Sequence, residues 1–187
     1  MLRAAYKGFS LQVLNWQAIV EQNGPRVWQT AYRLLGSHAD AADCFQETFL
    51  AALQVSQGQQ VRSFPALLTR LATTCAIDRL RERGRCHLRC SDLDNWEWED
   101  VASEGPEPPA CIETQELGQR LRQALTQLAP LEASAFCLRY LNDMSYREIA
   151  KELKMTTSAA GVLLHRAKAK LRHRLQAGAI ERDEIAL

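Results

Sequence analysis

Apolar positions along this chain recur at steps of three and four, the period of an α-helix with one buried face. Val27, Trp28, Ala31, Tyr32 and Leu35 make the first such stripe, in a helical stretch from about Leu11 to Leu35. Gly24-Pro25 predicts a break or restart inside it, and Gly36 suits a helix C-cap. A second helix, capped by Ser37 or Asp40, carries Ala42, Phe45, Phe49 and Leu53 on one face. Residues 54–63 are polar, contain Gly58 and read as a loop. Phe64-Pro65 opens a third helix, to about Arg83, with Leu67, Leu68, Leu71, Cys75 and Leu80 as its apolar positions. Nothing alternates apolar and polar as a strand does, so the expected fold class is all-α.

The pattern changes at 91–116. Gly105, Pro106, Pro108 and Pro109 exclude a continuous helix there, and the stretch reads as a linker. Helical period resumes with Leu117, Leu121, Leu125 and Leu128, and Pro130 separates that helix from one over Glu132–Leu141. Residues 145–175 then hold the most specific local pattern. Ser145 and Glu148 make an S-x-x-E capping box, and Ile149, Ala150 and Leu153 supply an inner face. Lys154-Met155-Thr156 is a short turn, and Thr156 or Thr157 can cap a second helix with Ala160, Leu164, Ala167 and Leu171 inside. Two helices joined this tightly form a helix-turn-helix, a DNA-binding unit, or else an ordinary helical hairpin with a basic outer face.

Charge sharpens the choice. The 187 residues carry a net charge of only +1, but residues 62–90 hold a net +5, residues 91–116 a net −9 with no basic residue, and residues 117–187 a net +5. Two basic blocks around an acidic tether suggest two nucleic-acid-facing modules; the plainer reading is three solvated surfaces of differing sign. Arg166, Lys168, Lys170, Arg172 and Arg174 crowd the last helix, where they can displace counterions from phosphates. Asp43 and Glu47, four apart with Gln46 beside them, offer an acidic face that a basic partner could take.

Other chemistry is excluded or weak. No apolar run nears the ~18 residues of a membrane span, and the first twenty residues lack the form of a secretory signal. The six cysteines are too scattered for a disulfide scaffold and are expected to be reduced, in a cytoplasmic protein. Cys44, Cys75 and Cys137 fall in helical patterns and read as small core residues. Cys86, His87 and Cys90 lack zinc-site spacing and an evident fourth ligand, so no metal and no cofactor are expected. No nucleophile–base pair or phosphate loop points to catalysis.

Taken together, these blocks resemble the extracytoplasmic-function (ECF) sigma factors of bacterial RNA polymerase. Residues 32–53, with Asp43, Gln46, Glu47 and Phe49 in a D-x-x-Q-E-x-F core, resemble the family's polymerase-binding helix. Residues 64–83 resemble its −10-recognition helix and 121–172 its −35-recognition domain. The resemblance implies region two over 1–90, an acidic linker over 91–116, region four over 117–178 and a tail over 179–187. It implies core RNA polymerase and promoter DNA as partners, allows an anti-sigma factor as a third, and involves no membrane insertion by this chain. The implied −10 residues are Arg62, Arg70, Thr73, Thr74, Arg79 and Arg83; the implied −35 residues are Thr156, Thr157, Ser158, His165, Arg166 and Lys168. The implied linker threads the polymerase cleft, with its acidic run beside Trp96 and Trp98. The sequence departs from the family at Leu67, usually Trp, at Thr74, usually Asn, and at Gly161-Val162-Leu163, where a polar or basic stretch is usual. The competing readings are a stand-alone helix-turn-helix regulator, which would bind duplex tightly without polymerase, and a helical adaptor that binds only protein.

Overall fold

The computed structural model describes the backbone of residues 14–90 and 109–185. Among these residues it contains seven helices and no strand: α1 (Trp16–Leu35), α2 (His38–Gly58), α3 (Phe64–Cys90), α4 (Pro109–Thr126), α5 (Pro130–Tyr140), α6 (Tyr146–Glu152) and α7 (Thr157–Ile185).

The local chemistry explains most boundaries. Asn15 opens α1 by accepting from the Ala18 N–H at 3.1 Å. Gly36 closes it at φ 70°, a left-handed conformation that glycine adopts without a Cβ penalty. Ser37 caps α2, and the Ser145–Glu148 box opens α6 with both reciprocal bonds in place. Thr156, not Thr157, caps α7, accepting from Ala159 N–H at 3.2 Å. Pro109 and Pro130 each stand at a helix start, where the missing N–H costs nothing.

Several expected boundaries move. Pro25 does not break α1, which runs unbroken through it. An interior proline costs ~3 kcal/mol, and the burial of Val27, Ala31, Leu34 and Leu35 on one face opposes that cost. α2 reaches Gly58, so the loop shrinks to 59–63, and α3 continues to Cys90. Residues 109–116, expected in the linker, form the first turns of α4, while 91–108, with Trp96 and Trp98, lie outside the described residues. The expected tail is helical to Ile185 as a continuation of α7.

The inner face of α2 also differs. Its fully buried positions are Ala41, Cys44, Thr48 and Ala52, one residue off the aromatic stripe. Small side chains occupy the line where α2 approaches α1 and α3; Phe45 and Phe49 flank it, their rings tilted by 53° with centroids 4.9 Å apart.

The central element is α3, which packs against α1 and α2 on one side and α4, α5 and α6 on the other. One continuous core joins the N-terminal and C-terminal halves: Leu34, Leu35, Cys44, Ile77 and Leu80 share it with Leu125, Leu128, Cys137, Ala167 and Leu171. Polar contacts seal the seam. Buried Asn142, in the turn after α5, accepts from the Thr30 hydroxyl at 2.7 Å and donates to the Cys137 carbonyl. Arg26 donates to the Asn142 carbonyl at 2.8 Å and Arg81 to the Leu128 carbonyl at 3.0 Å. Both guanidinium groups thus satisfy carbonyls left over at the ends of α5 and α4.

Candidate nucleic-acid and polymerase interfaces

Two surfaces carry the chemistry that the sequence singled out. The first lies on α2 and the adjoining strip of α3. Asp40, Asp43 and Glu47 follow one another along α2 at helical spacing, and Arg79 of α3 reaches all three: 4.0 Å from Asp40, 3.5 Å from Asp43 and 2.6 Å from Glu47. Arg83, one turn on, pairs with Asp40 and donates to the Leu35 carbonyl at 3.4 Å. Hydrogen bonds from the Cys75 thiol and then from Arg79 hold the Glu47 carboxyl below the usual carboxylate range. The side chains of Asp43 and Glu47 remain 63% and 57% exposed, and Gln46 is exposed beside them. This is an acidic face whose geometry is set from behind by two arginines.

The resemblance implies a DNA role for Arg79 and Arg83; in this structure their guanidinium groups are engaged by carboxylates of α2. Thr73 is fully buried, with its hydroxyl spent on the Thr69 carbonyl at 2.8 Å, so it offers DNA nothing in this arrangement. Phe49 packs inward against Phe45, supporting the acidic face from within. Arg70 pairs with Glu152 of α6 at 3.5 Å, across the seam. Thr74 is exposed but donates to the Arg70 carbonyl, and Arg62 projects from the 59–63 loop into solvent. Leu67, where the family usually has Trp, is buried in the core under that loop.

The second surface is the helix-turn-helix, α6 and α7. Ile149, Ala150, Ala160 and Leu164 are buried in one cluster with Leu153 half-buried against it, while Ala167 and Leu171, buried on the same face of α7, join the core shared with the other half. Lys154 makes the turn at φ 54°. On the outer face Thr156, Thr157, Ser158, His165, Arg166 and Lys168 are all exposed, grouped along the N-terminal half of α7. Of the unusual triplet, Val162 faces outward, 48% exposed, and Gly161 opens onto free space, with nothing within 4 Å of where a Cβ would sit; Leu163 packs against the inner cluster. Lys170 turns away from this face to clasp buried Glu132 at 2.7 Å, which holds the Glu132 carboxyl below the usual range.

Sequence reasoning missed the place of Asp40 in the acidic ladder, Asn142 and the Lys170–Glu132 pair. Asp40 had a signal: three carboxylates at steps of three and four, with Arg79 and Arg83 four apart to match. The others depend on which helices meet. Among the described residues no group of three or more His, Cys, Asp or Glu side chains could hold a metal ion. No described helix is long and apolar enough to cross a membrane.

Both surfaces fall within segments that match known family models. Residues 19–86 match the model of Sigma-70 region 2, and residues 118–171 that of Sigma-70, region 4. The chain is 32% identical over 158 residues to the ECF RNA polymerase sigma factor SigE of Mycolicibacterium smegmatis, covering 84% of this chain and 60% of that protein's length. It is 25% identical over 163 residues to the ECF RNA polymerase sigma factor SigW of Bacillus subtilis, covering 84% of this chain and 87% of that protein. Among solved structures, the fold is similar to the sigma factor RpoE in complex with the anti-sigma factor NepR from Bartonella quintana, with a TM-score of 0.53 at 19% identity, over 87% of this chain and 97% of the other.

Proposed function

Because this chain belongs to the ECF sigma factors of the sigma-70 family, we propose that it binds core RNA polymerase and directs it to promoters, where it helps open the −10 region. The chain supplies recognition, and the polymerase supplies the chemistry. The observation that carries this reading is the presence, in order, of both matched regions with the expected contact faces turned outward: the acidic ladder of α2 and the polar N-terminal half of α7.

Each face suits its proposed partner. Asp43 and Glu47, paired with Arg79, present fixed carboxylates to a basic protein surface, with exposed Gln46 beside them. Thr156, Thr157, Ser158, Arg166 and Lys168 can bond duplex phosphates and base edges at the −35 element, and exposed Val162 suits contact with a thymine methyl. Arg62, on the 59–63 loop, together with Arg70 and Thr74, forms the proposed track for the −10 strand; Arg79 and Arg83 serve the α2 face instead. In the arrangement described, Glu152 occupies Arg70 and α4–α6 cover one side of α3. Engagement of the −10 strand therefore opens the seam between the two halves. The solved RpoE neighbour is bound to an anti-sigma factor, and a partner of that kind is proposed here, acting in the cytoplasm.

The test is to mix the purified chain with core polymerase and a promoter library. Polymerase-dependent open complexes, detected by permanganate reactivity of unpaired thymines, are expected. Tight duplex binding by the chain alone, unaffected by polymerase, would replace this reading with that of a stand-alone regulator. Fluorophores on α1 and α6 should separate when the open complex forms; an unchanged distance would show that the closed seam is compatible with −10 binding.

A further inference from the structure

One face of α3 lies under the C-terminal half, and it carries two arginines that α2 does not engage. Ala66, Arg70, Ile77 and Arg81 follow at steps of four, seven and four, which sets them on a single stripe ~22 Å long at ~1.5 Å per residue. Each meets the other half. Ala66 packs against the helix-turn-helix cluster of Ile149 and Leu164. Arg70 pairs with Glu152 at 3.5 Å. Ile77 is buried in the core that contains Leu125 and Leu128. Arg81 donates to the Leu128 carbonyl at 3.0 Å, pairs with Asp78 of its own helix at 3.5 Å, and keeps only 16% of its side chain exposed. A carboxylate and a carbonyl of the C-terminal half thus stand where the phosphate oxygens of a strand would meet these two guanidinium groups.

The closed arrangement serves Arg70 poorly. Its Nε is buried and makes no hydrogen bond among the described residues, with the Glu152 carboxylate standing off at 3.5 Å. A buried donor left in this way is a cost of closure, and a phosphate bonded by both arms of the guanidinium removes it. Ile77 acts the other way. Opening exposes it together with the apolar residues it covers, so the closed form is favoured while no strand is bound. The outer face of α7 looks into solvent in the same arrangement. Closure therefore withholds one face suited to DNA and leaves the other free.

We infer that the C-terminal half is a built-in competitor for the −10 strand: Glu152 and the Leu128 carbonyl occupy Arg70 and Arg81, the chain alone takes single-stranded DNA only by opening the seam, and Arg81 joins Arg70 as a strand contact once the seam is open. The inference rests on the −10 reading of α3 given above. A strand that binds only the open form has its affinity reduced by the fraction of the chain that is open. The strand and the C-terminal half then exclude each other. Weakening the Glu152 contact raises strand affinity without altering any residue that binds the strand.

The experiment uses the full chain without polymerase and a short, fluorescein-labelled single strand of mixed DNA sequence. Glu152→Gln should bind it about fivefold more tightly than the unaltered chain, the worth of one partly exposed ion pair. Fluorophores on α1 and α6 should stand farther apart in that variant. Glu21→Gln makes the same charge change on the exposed side of α1 and should match the unaltered chain in both measurements. Affinity for a mixed-sequence duplex should be the same in the two variants. In the Glu152→Gln background, Arg81→Ala should flatten the slope of log K against log salt by ~0.7, the share of one phosphate on a single strand. Unchanged strand affinity in Glu152→Gln overturns the competitor. So does tighter binding with an unchanged distance, or an equal gain for duplex, either of which reduces Glu152 to a repelling charge. An unchanged salt slope overturns the strand role of Arg81. Polymerase-dependent open complexes are scored separately on the unaltered chain; their absence overturns the −10 reading itself, so the two failures are distinguishable.

Discussion

The acidic face of α2 and the basic face of α7 use charge in opposite ways. On α2 the carboxylates are already paired: Arg79 touches Asp40, Asp43 and Glu47, and Arg83 stands beside them. On the N-terminal half of α7, Arg166 and Lys168 reach into solvent, and the one nearby lysine that is paired, Lys170, points the other way to Glu132. The difference follows from the partner each face is proposed to meet. A protein surface is recognised by charges held in fixed positions, and arginines behind the carboxylates supply that fixity. A phosphate backbone is recognised by cations able to displace its counterions, and pairing them beforehand would spend that free energy internally.

Reversing charge at the acidic face should give the largest effect. Asp43→Arg with Glu47→Arg removes two proposed docking groups and sets like charges against Arg79, so core affinity should fall by a few kcal/mol. Circular dichroism should show helicity retained. Normal core binding by this double variant would remove α2 from the comparison altogether.

Next comes the seam that lets both faces belong to one body. Asn142→Ala removes the 2.7 Å bond from Thr30 across the seam; the Thr30 hydroxyl keeps its bond to the Arg26 carbonyl, so the loss is that of one intramolecular hydrogen bond, ~0.5–1.5 kcal/mol. Urea denaturation should register a loss of that size, and the two halves should separate more readily in the fluorescence measurement.

The basic face should respond through salt. Arg166→Ala with Lys168→Ala should weaken promoter binding and flatten the dependence of log K on log salt by ~0.9 for each phosphate no longer neutralised. Core binding should be unaffected, which is the sharpest separation of the two surfaces.

The Lys170–Glu132 clasp predicts a pH signature. The folded Glu132 carboxyl lies below its ordinary value of ~4.3. Its stabilising contribution is therefore fully present above that value and is lost as pH falls through the depressed folded one. Glu132→Gln should reduce the difference in urea midpoint between pH 7 and pH 3. Last, Gly161→Ala should raise stability by ~1 kcal/mol through helix propensity, since no atom lies within 4 Å of the added Cβ. A drop in promoter affinity in this variant would mean that DNA comes close to the backbone there.

The helix-turn-helix was legible because its signals are local. The Ser145–Glu148 box and the period of Ala160, Leu164, Ala167 and Leu171 lie within a few turns, and the structure reproduces each. The same holds for the Gly36 cap and for the exposure of Asp43, Gln46 and Glu47. Legibility ends where a neighbour decides. Phe45 and Phe49 dominate the apolar pattern of α2, yet Ala41, Cys44, Thr48 and Ala52 are its buried line, because closely packed helices admit only small side chains between them. Thr73 has the look of a polar contact for DNA, but a threonine can spend its hydroxyl on the preceding turn and then be buried. Arg79 and Arg83 have the look of cations awaiting phosphate, because spacing along one helix does not reveal the carboxylates opposite.

Local chemistry along the chain was enough to dictate an all-helical protein, the order of its two modules, and the outward faces of α2 and α7. These depend on capping, helical period and residue charge, interactions that reach no farther than a turn or two. Packing in three dimensions was needed to establish that both halves share a core around α3 and that Asn142 joins α1 to the turn after α5. Those outcomes depend on which apolar stripes meet. Since any apolar stripe gains comparably from burial against any other, only complementarity of shape and the pairing of polar groups at the seam select one arrangement.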